Sequence, residues 1–281
     1  MPKLQLSFHG TFALKKEDLL KILQACTEEK GLDDTKERLM ERTGLGNQKV
    51  TPMKSWAVRA GLVSNNYLSV EGKVVLDKDL YLESLITDWL MHFYFSFGDK
   101  GLAKPPNEPS DWGGWSYLIY NFLPEHRIFT FNDLVQHSAT IFDQETEEKL
   151  AKNFTMVLKV YALPLNKKEE SPLKACKLIT LEGETFTIGK VALPNPYLIA
   201  YFLAKLWKRD FGDATSVLTS EILNQKMGLA PILGVEKEAL QEQLNQLETL
   251  ALIEQRRTVS PSQVIRHWDD PIELLEKAYD Y

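Results

Sequence analysis

Apolar side chains recur along this chain at two different spacings, and each change of spacing marks an element. The opening Leu4-Gln5-Leu6-Ser7-Phe8-His9-Gly10-Thr11-Phe12 alternates apolar and polar positions, which predicts a short strand or extended arm. From Lys16 to Glu29 the set Leu19, Leu20, Ile22, Leu23 and Cys26 falls on one helical face. A second short helix is predicted from Thr35 to Thr43, with Leu39 and Met40 inward and Gly44 as its stop. The third begins between Asn47 and Thr51, carries the stripe Val50, Met53, Trp56, Ala57 and Ala60, and ends at Gly61. Pro52 fits a helix best in its first turn, so Thr51 is a candidate cap. Next, Tyr67-Leu68-Ser69-Val70 and Lys73-Val74-Val75-Leu76-Asp77 flank Glu71-Gly72, the pattern of a hairpin turned at the glycine. Three helices and a hairpin give the order of a winged helix-turn-helix, assigned to residues 1–80.

A helical middle is expected over 81–165. Leu80 to Phe97 reads as one amphipathic helix, Gly98 to Ser110 as a Pro-rich loop, and Trp115 to Leu123 as another helix. Thr130-Phe131-Asn132-Asp133-Leu134 reads as an N-capped helix start, and a longer helix spans Thr146 to Tyr161. The charged linker Pro164 to Pro172, with Lys167-Lys168-Glu169-Glu170, marks a boundary. The rest, 166–281, predicts a hairpin of Cys176–Ile179 against Thr185–Ile188 and a helix from Pro196 to Lys208. Helices from Leu218 to Gln225 and Glu236 to Leu250 follow, then a hairpin of 253–257 against 263–266, together a second winged-helix-like unit. The fold class expected is mainly α with small β-hairpins (α+β).

Composition narrows the function. Hydrophobic residues make up 44% and charged residues 26% of 281, the balance of an ordinary globular chain. No run reaches the roughly 18 apolar residues of a membrane span, and Met1-Pro2-Lys3 opens no secretory segment, so a cytoplasmic protein without a membrane partner is expected. Cys26 and Cys176 stand apart with no ligand-type spacing and read as buried thiols rather than a disulfide or zinc site. The net charge of −6 is uneven: residues 1–80 hold 13 Lys/Arg against 11 Asp/Glu, and residues 81–281 hold 20 against 28. Between Glu41 and Glu71 there is no acid, while Arg42, Lys49, Lys54 and Arg59 fall inside the gap. Such a window is a footprint that phosphates attract.

Catalytic constellations are missing from the sequence. Gly44-Leu45-Gly46 lacks the third glycine and preceding strand of a nucleotide cradle, the five histidines show no metal spacing, and no serine sits in a GxSxG elbow. His9 reads as a structural hydrogen-bonder. No enzyme, cofactor or metal is expected. The third helix carries the strongest constellation. Gln48, Thr51, Ser55 and Arg59 lie opposite its apolar stripe, Lys49 and Lys54 flank them, and Lys73, near the expected wing turn, reaches a neighbouring phosphate. Two readings of this face stand: a surface for double-stranded DNA, which leads, and a solvated face on an adaptor that holds partner proteins. A nuclease with dispersed acids is a third class. A homodimer is compatible with either leading reading.

Phe8-His9-Gly10-Thr11-Phe12 with Leu14-Lys15, then Gly44-Leu45-Gly46-Asn47 with Val50, Trp56 and Gly61-Leu62-Val63, resembles the opening of domain-of-unknown-function family 4007. Asn153 to Tyr161, and Ser171-Pro172-Leu173-Lys174 with Leu178-Ile179, are similar to segments of that family further along. The resemblance implies a bacterial winged-helix protein associated with DNA phosphorothioation and phage-defence genes, with other proteins of such a system as further partners. The family pattern has a glutamate between the histidine and the Thr-Phe pair. Gly10 stands there, so a role resting on a His–Glu pair is not carried over.

Overall fold

The computed structural model describes residues 1–166, 169–258 and 260–281, so Lys167 and Lys168 of the expected linker lie outside the described residues. Its fold is mainly helical with small antiparallel sheets, as the sequence predicts. Helices α1 (Lys16–Ala25), α2 (Lys36–Thr43) and α3 (Asn47–Arg59) pack on one another near the N-terminus. Thr35 caps α2 by accepting the Arg38 amide at 3.3 Å, and Gly44 closes it in the left-handed region at φ 65°. β1 (Val63–Ser64) and β2 (Tyr67–Leu68) then form a two-rung ladder turned at Asn65 and Asn66, both left-handed.

Several expectations are corrected here. The opening segment is not a strand: Gln5, Gly10 and Thr11 all have positive φ, and the chain winds onto Gly113-Gly114, whose Gly114 amide bonds Leu4 O at 2.7 Å. Helix α3 starts at Asn47 under a Gly46 cap, upstream of Thr51. Pro52 lies inside it, with its buried ring against the N-terminal turn, 3.1 Å from where a Cβ on Gly10 would sit. The expected hairpin arm after Gly72 is a helix, α4 (Val70–Lys78), capped by Ser69 Oγ accepting the Gly72 amide at 2.8 Å. Gly72 is needed for close packing and not for a turn, since a Cβ there would lie 2.1 Å from the Leu62 carbonyl oxygen.

Helix α5 (Leu85–Phe95) is shorter than Leu80 to Phe97 because Leu82 is left-handed and Asp79 accepts the Glu83 and Ser84 amides, both at 2.9 Å. It runs through the centre of the molecule. Phe95 lies edge-on to Trp56 of α3 at 5.5 Å, and Phe93 stacks on Phe202 at 4.3 Å. Phe202 belongs to α10 (Pro196–Phe211), which Asn195 caps. Helix α6 (Gly114–Tyr117) passes through a π-helical turn, Leu118–Phe122, into α7 (Leu123–Glu125).

From α7 onward one order of elements occurs twice. Strand β3 (Ile128–Thr130) leads through α8 (Phe131–Ile141) and α9 (Glu147–Tyr161) to the hairpin of β4 (Thr180–Glu182) and β5 (Thr185–Thr187), with sheet order β3-β5-β4. The first arm of this hairpin is Thr180–Glu182 and not the expected Cys176–Ile179, whose start is a 3-10 turn, and the hairpin pairs with a strand on the other side of the charged linker. After α10, β6 (Ser216–Leu218) leads through α11 (Thr219–Leu223), α12 (Leu229–Leu233) and α13 (Lys237–Thr249) to β7 (Ile253–Arg256) and β8 (Gln263–Arg266), in the order β6-β8-β7. Helix α14 (Pro271–Asp280) returns to α10 and α4, with Lys78 Nζ donating to Asp280 at 3.0 Å. One continuous apolar core, from Leu4 to Ala278, joins these parts. Among the described residues no helix is long and apolar enough to cross a membrane.

Candidate nucleic-acid interface

Helix α3 is anchored by its apolar stripe. Val50, Met53, Trp56, Ala57 and Ala60 are all buried, and Trp56 donates its indole N–H to Phe12 O at 3.0 Å. Its opposite side forms one wall of a groove of about 950 Å³, which also takes in Lys36 of α2, the hairpin residues Ser64 and Asn65, loop 98–102, and Lys205 of α10. Four of the residues singled out from the sequence, Thr51, Lys54, Ser55 and Arg59, line this groove. Ser55 donates to Thr51 O at 3.1 Å, and Lys54 Nζ reaches Leu32 O at 3.3 Å.

The other predicted residues are placed differently. Gln48 is exposed but faces a smaller cleft near Gly44 and Gly46. Lys49 also lies there, its charge held by Asp18 at 2.9 Å. Lys73 is exposed on α4 and does not line the groove, because the segment expected to be a wing is helical. Arg59 is within the groove but not idle: its guanidinium stacks 4.0 Å over the Phe8 ring, which itself packs on Trp56 at 4.8 Å. Burial lowers its pKa, opposed by the nearby Asp99 carboxylate, and arginine stays charged under such a shift.

Charge in the groove is net positive. Lys36, Lys54, Arg59, Lys100 and Lys205 face it against Asp34, Glu71 and Asp99. Asp34 is held by a cation outside this set, whereas Glu71 pairs with the groove's own Lys205 and Asp99 meets Lys100 at 3.3 Å. Asp34 accepts from Arg42 at 3.4 Å, and Glu71 Oε1 accepts from Tyr94 OH and Tyr201 OH at 2.8 Å and from Lys205 Nζ at 2.9 Å. Burial would raise the Glu71 carboxyl, but Lys205 and the Tyr201 hydroxyl outweigh it and hold the pKa below the ordinary value. This cluster ties α4, α5 and α10 together beneath the groove. Lys36, Lys100 and Lys205 were not singled out from the sequence, and only Lys36 lies near enough to α3 in the chain to leave a local signal.

The N-terminal motif packs its histidine inside the molecule. His9 is buried, its Nδ1 accepts the Thr11 amide at 3.1 Å, and burial lowers its pKa, opposed by the neighbouring Asn153 side chain and aided by Lys152. Both cysteines are free and buried. Among the described residues no group of three or more His, Cys, Asp or Glu side chains is placed to hold a metal ion.

Fold and groove together define a mainly helical protein with small antiparallel sheets and a cationic cleft along one helix. The chain belongs to the family described as protein of unknown function DUF4007, whose model matches residues 6–279. It is similar in fold to a crystal structure of magnesium ion-bound SspB, with a TM-score of 0.75 at 19% identity over 98% of this chain and 87% of that one. A second SspB crystal structure gives a TM-score of 0.72 at 20% identity, covering 98% and 86%. No curated protein matches the chain in sequence.

Proposed function

We propose that this protein is a cytoplasmic DNA-binding accessory or regulator of a bacterial DNA modification (phosphorothioation) or phage-defence system, acting by binding and not by catalysis. One observation carries the proposal: Thr51, Lys54, Ser55 and Arg59 share a groove with Lys36 and Lys100 from other elements. Lysine and arginine heads in such a cleft neutralise phosphates, while hydroxyls and the Asn65 amide add hydrogen bonds to backbone oxygens. The helix–helix–helix–hairpin order at this end is that of a winged helix-turn-helix, and the strand–helices–hairpin order of the two later sheets is consistent with winged-helix-like units. The defence setting rests on the family. Magnesium, bound in one similar structure, has no step in this reading.

The concave shape changes the expected mode of contact. A helix flanked by loop 98–102 and the β1–β2 turn suits a strand's phosphate backbone laid along the groove, so affinity is expected to depend more on salt than on sequence. The test is a duplex-binding titration at low and moderate salt, on plain and phosphorothioate DNA. Saturable, salt-sensitive binding supports the proposal. A second reading, a protein-holding adaptor, is favoured by Leu80 and Tyr81, adjacent and 51% and 68% exposed. Absence of duplex affinity together with capture of a partner through that pair would select it.

A further inference from the structure

A second cavity, independent of the groove, opens where the β3-β5-β4 part of the molecule meets α11, α12 and the start of α13. It encloses about 220 Å³. Its walls are apolar: Ile119 and Leu123 from the π turn and α7, Ile188 just after β5, Ala230 within α12 and Val235 just after it. Ile119, Leu123 and Ile188 are buried, whereas Ala230 and Val235 keep part of their surface open to the cavity. An apolar cavity of roughly 150 Å³ is large enough to hold benzene, so this one has room for a ring or short alkyl chain with a polar end.

The mouth specifies that end. Arg127 and Lys237 stand there with Glu236 as the lining acid. Arg127 meets Glu236 at 2.6 Å, but their side chains are 37% and 67% exposed, and an exposed pair of this kind is readily exchanged for another carboxylate. Lys237 is held by the Asn224 side-chain oxygen, a neutral partner that leaves its charge uncompensated. The cap residue of α13, Glu236, makes no side-chain hydrogen bond to the first turn, so that turn's amides add to the positive potential at the mouth. An apolar chamber with a cationic rim matches an amphipathic anion.

We infer that this cavity binds a small aryl or alkyl carboxylate, with its apolar body among Ile119, Leu123, Ile188, Ala230 and Val235 and its carboxylate between Arg127 and Lys237. Such a ligand touches elements on both sides of the charged linker and holds them together, so occupancy raises thermal stability as well as giving a binding isotherm.

The test uses the full chain with 3-phenylpropionate and its neutral analogue 3-phenylpropanamide, followed by calorimetry and thermal melting. The carboxylate is expected to bind saturably and to raise the melting temperature, and the amide at least tenfold more weakly. Ala230→Phe, which fills the chamber, should abolish binding of both. Lys237→Gln should weaken the carboxylate about tenfold while leaving the amide unchanged, a discrimination worth about 1.4 kcal/mol. Should Ala230→Phe not fold, Lys237→Gln, altered at a surface side chain, still decides the matter. No saturable binding of the carboxylate, equal binding of acid and amide, or carboxylate binding indifferent to both substitutions would each overturn the inference. None of these outcomes bears on the DNA groove.

Discussion

Replacing Lys36, Lys54 and Lys100 by glutamine, singly and together, separates the groove's charge from its packing. Lys36 is exposed in the first turn of α2, Lys54 donates to the Leu32 carbonyl at 3.3 Å, and Lys100 meets Asp99 at 3.3 Å with both side chains about two-fifths exposed. Losing such contacts costs about 0–1 kcal/mol each, so the triple variant should remain folded. Arg59 is deliberately kept. Its stacking on Phe8 contributes about 0.5–2 kcal/mol, and its removal would mix a stability effect into the binding result. If Lys36, Lys54, Arg59 and Lys100 each neutralise one phosphate, log K falls with log salt at a slope of about −3.6, and raising salt from about 50 to about 200 mM weakens binding roughly a hundredfold. Each glutamine flattens the slope by about 0.9, leaving the triple variant near −0.9 and about a threefold loss over the same range. Fluorescence anisotropy of a labelled duplex across a salt series measures the slopes, and urea unfolding checks the fold. A triple variant that kept the parent's slope would place the phosphates elsewhere. A parent with no duplex affinity at the lower salt would refute the DNA reading and leave the adaptor.

Trp56→Ala should cost about 3–5 kcal/mol in urea unfolding, because the fully buried indole packs against Phe8, Phe95 and Trp115 and its loss leaves Phe12 O without that donor; parent-like unfolding would refute the packing described for α3. Gly72→Ala should cost about 1–3 kcal/mol, since a Cβ there meets the Leu62 carbonyl; a variant that melts like the parent would show that α4 does not press on that backbone. Asp88 is buried on α5, and burial pushes its carboxyl up to about 7 although Lys16 lies 2.5 Å away and pulls it down. Its folded pKa is raised above the unfolded value, so its contribution to stability is fully present below about pH 4 and is lost as pH rises through about 7. Urea unfolding of Asp88→Asn at pH 5 and 8 should therefore show a smaller decline towards pH 8 than the parent, by an amount on the order of a few kcal/mol; an equal decline would show that another group carries the dependence.

What the sequence made legible was local. The helix spacing of Leu19, Ile22 and Leu23 and of Met53, Trp56 and Ala60 is set by neighbours three or four residues apart, and the caps at Thr35, Thr130 and Thr146 bond within their own first turns. Where tertiary contact decides, the local signal misled. Glu71-Gly72 looks like a turn because glycine often serves one, yet this glycine answers to the Leu62 carbonyl, and Val70, Val74 and Val75 fit a helix face as well as an alternating strand. The turn of the hairpin is instead Asn65-Asn66, two polar residues in the left-handed region.

The acid-free window behaved in the same way. It brings Lys54 and Arg59 to the groove but not Arg42 or Lys49, because charge counted along a chain does not say which cations are committed. Lys49 is held by Asp18, whose place in sequence lies well before the window, and Arg59 is stacked on Phe8, an apolar partner that no charge count includes. The cations that extend the groove, Lys100 and Lys205, come from a loop and a helix brought in by α5 and α10. The groove is thus a property of the packed molecule. If it binds a polyanion, the Glu71 cluster is what keeps its α10 wall in place: the carboxylate accepts from Tyr94 and Tyr201, which fix it, and from Lys205, which it holds at the edge of the cleft. The acid that closes the window at Glu71 therefore fixes where Lys205 stands while offsetting its charge, which leaves Lys36, Lys54 and Arg59 as the groove's positive heads without an ion pair among the described residues.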